Sequence, residues 1–267
     1  MSTLLRMSLT SLMICYALIL SYIVSKGLAA FSPAYLFGTP EALGRSGGIW
    51  PMLRASLVIG ITSSFLTIVI GIPSAFYLAE NKASWLTLAT DSIAGMPSIV
   101  FGLVGHVLFV QTLGLGYSLL SGVLTLTFMV LPFFTRLVED AIRQIPESYR
   151  LTATVLQIPD TIYRLKIALP LIWPAFIGAI GLSWTRAIGE TAALLFTSGY
   201  SVGSMADWSF FASERSLSVH IFDITMNLSN TGVMPFKAAT ALLIVTLFFL
   251  LLAKLTMKVL YRCLFHK

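Results

Sequence analysis

Charged residues are scarce in this 267-residue chain: Asp, Glu, Lys and Arg make up 10% of it, whereas hydrophobic residues make up 57%. Soluble domains usually carry about 25% charged residues, and the mean hydropathy here is +0.89. The composition therefore excludes an ordinary soluble domain and indicates an integral membrane protein. The net charge of +6 is spread over short loops, which argues against nucleic-acid binding.

Metal-binding and nucleophilic residues are also rare. The chain has two cysteines, Cys15 and Cys263, and three histidines, His106, His220 and His266. Neither a disulfide framework nor a zinc cluster is indicated, and no pairing of nucleophile and base supports a membrane-embedded enzyme. No lysine follows a glycine, so the GK step of a phosphate-binding P-loop is missing as well.

Long apolar runs predict six transmembrane helices, since about 20 residues cross a bilayer. They cover residues 7–29, 51–79, 86–112, 118–138, 171–198 and 236–260. The first run is too long for a typical signal peptide, so we expect an uncleaved anchor. With the N-terminus inside, cytoplasmic segments hold eleven Lys and Arg residues and outer segments hold five, which favours both termini in the cytoplasm.

The fifth predicted span carries two ionisable residues, Arg186 and Glu190, in its interior. A charge at such depth costs roughly 2.5–3.5 kcal/mol on insertion scales, and intramembrane charges usually mark a function. At 100° per residue, an unbroken helix places Ser183, Arg186, Glu190 and Thr197 on one face. The alternative is a structural ion pair, because Arg186 and Glu190 are four residues apart.

Two connections are longer than the others. The outer segment 199–235 mixes aromatic and charged residues, which suits either the membrane interface or a protein-docking surface. These residues are Trp208, Phe210, Phe211 and Phe222, with Asp207, Glu214, Arg215, His220 and Asp223. The segment 139–170 predicts two short helices with a break at 157–160. Such a hairpin is either a solvated connector or an element that inserts into a partner.

The 139–170 hairpin resembles the EAA cytoplasmic loop of ABC importer permeases. The matching residues are Pro146, Arg150, Ala153, Leu156, Leu169 and Pro170. The resemblance implies that the loop docks into a cleft of a separate ATP-hydrolysing subunit. Leu151 stands where that family has glutamate, and Gln157 stands where it has glycine. Glycine adopts left-handed conformations cheaply, so we expect Pro159 rather than Gln157 to enforce the break.

Other stretches resemble the phosphate-specific membrane subunit of that superfamily, the PstA type. They are RAIGETAALLFTSG at 186–199, GGIWP at 47–51 and GMPSIVFGL at 95–103. The resemblance covers roughly residues 45–260 and keeps the order of the motifs. It implies a complex with a homologous second permease, two ATPase subunits that bind the ATP, and an external phosphate-binding protein. The chain itself then needs no cofactor and no metal, and is not an enzyme.

The resemblance also assigns roles in a translocation path. Arg186 attracts the anion, and Glu190 either holds Arg186 or prevents stable anion binding. Ser183, Thr191 and Thr197 offer hydroxyl donors. A further polar residue, Ser98, follows Pro97 within the third span. Its hydroxyl either satisfies backbone groups that the proline frees or lines the pore.

The same interpretation assigns the ATPase-coupling residues and the overall organisation. The coupling set is Pro146, Arg150, Ala153, Leu156, Gln157 and Pro170, of which Pro170 opens the fifth span. We expect an all-α membrane protein with six transmembrane helices and an EAA-like coupling hairpin, in a bacterial inner membrane. Residues 1–45 form an N-terminal helix and outer loop, and residues 46–267 form the permease domain. A permease for another oxyanion, or a secondary anion transporter or channel without ATPase coupling, is the alternative.

Overall fold

The structure is a computed structural model that describes residues 3–29, 31–81, 84–202, 209–229 and 231–265. Lys82, His266 and Lys267, which were counted among the charged residues and histidines above, lie outside these residues. The helices, in chain order, are α1 (Thr3–Leu28), α2 (Pro33–Phe37), α3 (Trp50–Asn81), α4 (Ser84–Ala94), α5 (Ser98–Gly105), α6 (Leu119–Arg143), α7 (Glu147–Val155), α8 (Asp160–Ile162), α9 (Leu169–Leu171), α10 (Trp173–Gly189), α11 (Ala192–Leu195), α12 (Leu217–Met226) and α13 (Met234–Phe265). The prediction of an all-α membrane protein is confirmed.

Shorter elements complete the chain. Turns of π-helix extend α5 over His106–Thr112 and join α8 to α9 over Tyr163–Ala168. Strands β1 (Pro40–Glu41) and β2 (Ser46–Gly47) form a small antiparallel hairpin before α3.

Four of the predicted spans are continuous helices. Arg6–Leu28, Trp50–Asn81, Leu119–Arg143 and Met234–Thr256 are each long and apolar enough to cross a membrane. The third predicted span, 86–112, is bent by 97° between Trp85–Ala94 and Ser98–Thr112. Its break coincides with Gly95-Met96-Pro97, where the proline disfavours a helical conformation for the residue before it. The third span is therefore interrupted at this proline.

The fifth predicted span also differs from its expected bounds. Helix α10 ends at Gly189, nine residues before the predicted end of the span at 198. At its other end α10 is bent by 77° from the helical segment Asp160–Leu171. Pro174 occupies the first turn of α10, where a missing backbone N–H costs nothing. Pro170 lies earlier, within α9, so it does not open the span as expected.

Helices α3, α6 and α10 pack closely along their length. Gly60 of α3 faces the indole of Trp184, and a Cβ there would lie 3.0 Å from Trp184 Cζ3. A Cβ at Gly71, three turns further along, would lie 2.5 Å from Phe134 Cδ1 of α6. The two glycines therefore allow the α3 backbone to approach large aromatic side chains on both neighbours.

Different parts of the chain pack at the two ends of α3. We call residues 31–49 and 209–227 the cap end. There Arg54 Nη2 of α3 donates to Glu214 Oε1 over 2.7 Å. The hairpin end comprises 143–171: Arg164 Nε donates to Glu80 Oε1 over 2.9 Å, and Arg143 Nη2 donates to the Leu78 carbonyl over 3.2 Å. The hairpin and the cap thus lie at opposite ends of α3.

Candidate functional site

The end of α10 places Arg186 and Glu190 in different surroundings. Glu190 follows the last helical residue and has an extended backbone (φ −74°, ψ 130°). Its carboxylate Oε1 accepts hydrogen bonds from the backbone N–H groups of Ala192 and Ala193, over 3.1 and 3.4 Å. The carboxylate therefore caps α11, whose first N–H groups have no helical partner. The common face expected of an unbroken helix is therefore wrong for Glu190, and the alternative, an Arg186–Glu190 ion pair, does not form among the described residues.

Arg186 has an aromatic partner instead of an acidic one. It lies in the last turn of α10, is half-buried, and forms no ion pair with any residue that the structure describes. The guanidinium carbon lies 5.2 Å from the ring centroid of Phe133 on α6. A cation over an aromatic face is stabilised by the ring quadrupole, which leaves the N–H donors free for an anion. Nothing in the sequence pattern pointed to Phe133.

The hydroxyl groups predicted beside Arg186 separate into two kinds. Thr197 is fully buried, and its hydroxyl donates to the Ala193 carbonyl over 2.9 Å, so it is already satisfied. Ser183 is 2% exposed, and its Oγ has no hydrogen-bond partner within the described part of the chain. Thr191 is half-buried at the start of α11. Thr197 is therefore the weakest member of the predicted set.

Ser98 begins α5, which packs against the interruption between α10 and α11. Gly102, one turn after Ser98, lies so close that a Cβ there would be 3.0 Å from Ala193 Cα. The broken third span and the broken fifth span therefore meet, with half-buried Ser98 near this junction. Interrupted helices that meet at depth are a common way to build an ion or substrate site in transporters.

His106 supports this junction from the π-helical turn. Its Nδ1 donates to the Phe196 carbonyl over 3.0 Å, and its Nε2 accepts from Gln111 Nε2 over 3.1 Å. The ring also lies against Tyr117, with centroids 5.4 Å apart. Because the carbonyl can only accept, Nδ1 carries a proton in this hydrogen bond. His106 is thus a packing residue with both nitrogens satisfied.

The hairpin is the second candidate site. Pro146 precedes α7, and the small Ala153 is 5% exposed, whereas Val155 is 81% exposed. Tyr149, Ala153 and Leu156 line one cleft of about 400 Å³, so they share a side as expected. An exposed run of aliphatic side chains on a short helix is a surface suited to a protein partner.

The turn between α7 and α8 differs from its sequence expectation. Gln157 adopts a left-handed conformation with φ +52°. The Gln157 N–H donates to the Thr154 carbonyl over 3.0 Å, and the Ile158 N–H donates to the Ala153 carbonyl over 2.9 Å. This pair of bonds is the Schellman helix ending, which usually has glycine at the left-handed position. Gln157 therefore adopts the left-handed conformation that was expected to require glycine.

Arg150 and Pro170 complete the predicted coupling set. Arg150 is exposed and lines a cavity of about 310 Å³ together with Arg143, Glu147 and Tyr163. Pro170 lies just after the π-helical turn and is half-buried, away from the exposed tip of α7. Arg150 therefore lies on the surface of the hairpin, whereas Pro170 lies just before the bend into α10.

At the cap end the charged residues of 209–227 are buried, contrary to the expected mixed surface. Glu214, Arg215, His220 and Asp223 are all less than a tenth exposed, and Arg215 pairs with Asp223. Burial raises the pKa of Glu214, which Arg54 opposes. Burial, and then the nearby Arg215, lower the pKa of His220 to about 3.

Among the described members of the predicted aromatic set, two are exposed and Phe210 is half-buried. Phe211 is 64% exposed and Phe222 is 38% exposed. Trp208 and Asp207 lie outside the described residues.

The architecture matches a known class of transport protein. The structure is similar to a solved chain of the MetNI methionine ABC transporter in an inward-facing conformation. The TM-score is 0.66 and the sequence identity is 18%. The match covers 79% of this chain and 96% of that one. The fold is therefore that of an ABC transporter permease.

The sequence comparisons identify the family. Residues 67–265 match the family model of the binding-protein-dependent transport system inner membrane component, and the chain belongs to this family. The family is a multi-pass membrane component of ABC transporters, not itself catalytic and without a cofactor of its own. It implies a partner ATPase and a substrate-binding protein.

Individual relatives are of modest identity. The chain is 29% identical over 237 residues to the probable ABC transporter permease protein YqgI of Bacillus subtilis, covering 83% of this chain and 79% of the relative. It is 32% identical over 183 residues to the phosphate transport system permease protein PstA 2 of Mycobacterium bovis, covering 67% of this chain and 60% of that protein. PstA 1 of Mycobacterium tuberculosis is 30% identical over 204 residues, with 75% and 67% covered.

Proposed function

We propose that the chain forms half of the translocation path of an ATP-driven importer of inorganic phosphate, with a homologous second permease as the other half. The relatives named as phosphate permeases support the substrate. The single observation that carries the proposal is Arg186, a half-buried intramembrane cation with no acidic partner among the described residues.

The position of Arg186 in α10 is costly for a cation that has no acidic partner among the described residues. A charge at the depth of α10 is expensive unless it is paired, and Glu190 is held on the N–H groups of α11 instead. An incoming oxyanion can supply the missing charge and accept bonds from the guanidinium fork. Because Glu190 stays nearby without pairing, its negative charge weakens anion binding, and weak binding favours passage over retention.

The hairpin supplies the coupling to the ATPase. In this proposal the exposed side of α7 docks on the ATPase subunit, beside the cleft of about 400 Å³ that Ala153 lines with Tyr149 and Leu156. The hairpin end of α3 then faces the cytoplasm, as do both chain termini, and the cap end faces outward. The positive residues counted in the sequence have the same bias.

Uptake by the reconstituted complex tests the role of Arg186. Proteoliposomes would contain both permeases and the ATPase, with phosphate-binding protein added outside and labelled phosphate as substrate. Arg186→Gln should lower ATP-driven uptake about tenfold to a hundredfold, the value of one charge-assisted hydrogen bond. Arg186→Lys keeps the charge and is the matched control, expected to retain part of the uptake.

The double variant separates transport from structure. If the two residues only neutralised each other, Arg186→Gln with Glu190→Gln would regain the uptake that the single change loses. We expect no recovery, since Glu190 caps α11. Recovery would refute the role of Arg186 in the path, and uptake of sulfate in preference to phosphate would refute the substrate.

A further inference from the structure

The turn Ala42-Leu43-Gly44 at the cap end is strained. Its three residues have φ of +47°, +62° and +89°, a run in the left-handed region where only glycine is free of a steric penalty. The side chain of Leu43 is 69% exposed. The turn therefore combines two unfavourable features, a strained backbone and an apolar side chain in contact with solvent, that glycine or asparagine would avoid.

Buried residues of the cap end contact this turn from inside the protein. Arg215, which is 2% exposed and paired with Asp223, donates from Nη2 to the Leu43 carbonyl over 2.7 Å. A Cβ at Gly44 would lie 2.7 Å from Arg215 Nη2 and 2.7 Å from His220 Cε1. Gly44 thus lies directly on the guanidinium and the imidazole, and no side chain fits between them.

The result is an apolar side chain presented in a fixed position. Strands β1 and β2 close the turn by pairing Glu41 with Ser46, and the exposed Glu41 and Arg45 flank Leu43 with charges of opposite sign. An apolar centre with a polar rim is the usual anatomy of a protein interface. Fixing it in advance removes part of the entropy cost of binding, which explains what the strain achieves.

We propose that Leu43 is an apolar docking tip for the external substrate-binding protein. The family depends on a binding protein, and the turn lies at the end of α3 opposite the hairpin. The inference rests on the proposed function in one respect, because docking of the hairpin on the ATPase is what places the cap end outside.

Stimulation of the ATPase by the binding protein provides the test. The complete complex in lipid nanodiscs would be titrated with phosphate-loaded binding protein while ATP hydrolysis is followed. Leu43→Asn keeps a residue that tolerates the left-handed region and removes the apolar surface. We expect the concentration for half-maximal stimulation to rise roughly tenfold, with basal hydrolysis unchanged. An unchanged titration would overturn the inference.

Two matched variants distinguish the apolar side chain from the backbone that carries it. Ala42→Gly alters backbone strain in the same turn without touching Leu43, and Leu43→Met keeps an apolar tip. Leu43→Met should titrate like the wild type, whereas Ala42→Gly, which loosens the turn but keeps the apolar side chain, should raise the half-maximal concentration by less than Leu43→Asn does. If Leu43→Asn instead lowers basal hydrolysis and the amount of complex in the membrane, Leu43 has a structural or lipid contact and the inference is wrong.

Failure of the proposed function is distinguishable from failure of this inference. A wild-type complex that ignores the phosphate-loaded protein but responds to a binding protein loaded with another oxyanion refutes the phosphate assignment alone. The Leu43 comparison is then made with that protein. A complex that no loaded binding protein stimulates refutes both.

Discussion

The cap end and the hairpin end of α3 both join helices through arginine–carboxylate pairs, but the surroundings of the pairs differ. At the cap end Arg215 and Asp223 are buried together, beside the pair of Arg54 and Glu214. At the hairpin end the arginines are more open, with 39% of the Arg164 side chain exposed in its pair with Glu80.

This difference separates a rigid end from an adjustable one. A buried pair tolerates little displacement, since breaking it leaves a charge without solvent or partner. An exposed pair contributes little to stability because water and salt replace it easily. The cap end is therefore suited to holding a fixed surface, whereas water can replace the Arg164–Glu80 pair of the hairpin end at small cost.

The largest effect is expected from Asp223→Ala. This change leaves the Arg215 guanidinium buried without its carboxylate, and such a loss costs about 3–5 kcal/mol. Thermal unfolding of the purified protein in detergent, with its level in the membrane, is the measurement. Asp160→Ala, which removes an exposed carboxylate at the hairpin end, is the control and should change little. Wild-type stability in Asp223→Ala would contradict a rigid cap end.

A smaller effect on stability is expected when the pH is lowered, because of His220. Burial and Arg215 lower its pKa from 6.5 to about 3, while Asp223 acts in the opposite direction. Between those values the unfolded chain binds a proton that the folded protein does not, so stability falls as the pH falls from 6.5 towards 3. At pH 5 the loss is about 2 kcal/mol.

The melting temperature at pH 7 and at pH 5 measures this loss. His220→Gln removes the titrating group and should reduce the difference between the two pH values. Other groups of the cap, such as Glu214, titrate equally in both proteins, so the comparison isolates the histidine. An equal pH response in the two proteins would show that His220 does not control it.

The smallest effect is expected from Arg164→Met at the hairpin end. Because the pair with Glu80 is partly exposed, its loss should cost less than about 1 kcal/mol. The cost should be still smaller in 0.5 M salt, whereas salt should not change the contribution of the buried cap pairs to stability. A loss comparable to that of Asp223→Ala would remove the contrast between the two ends.

Sequence patterns predicted the spans because a bilayer demands long apolar runs wherever a helix crosses it. They also indicated the hairpin, since prolines and charges interrupt such runs. The break after Gly189 could not be predicted in this way, because the residues that follow are as apolar and helix-compatible as those before. The bond from the Glu190 carboxylate to α11 depends on tertiary packing.

Burial of the cap charges was missed for a related reason. Charged and aromatic residues in 209–227 have the composition of a surface, and composition alone does not tell which partners meet. The buried Arg215 meets its partners only through tertiary packing: the Leu43 carbonyl, 172 positions away, accepts from Nη2, and Asp223 accepts from Nη1. The Gly95-Met96-Pro97 interruption, in contrast, did carry a local signal for the break in the third span.

The break in the third span also bears on the membrane that surrounds it. Ser98–Thr112 reaches only about 22 Å at 1.5 Å per residue, and Trp85–Ala94 turns away from it by 97°. The hydrocarbon core of a bilayer is about 30 Å thick. If this segment faces lipid, it is shorter than an undisturbed bilayer, and we expect hydrophobic mismatch to thin the lipid beside it. We therefore expect the protein to respond to the chain length of the lipids on this side.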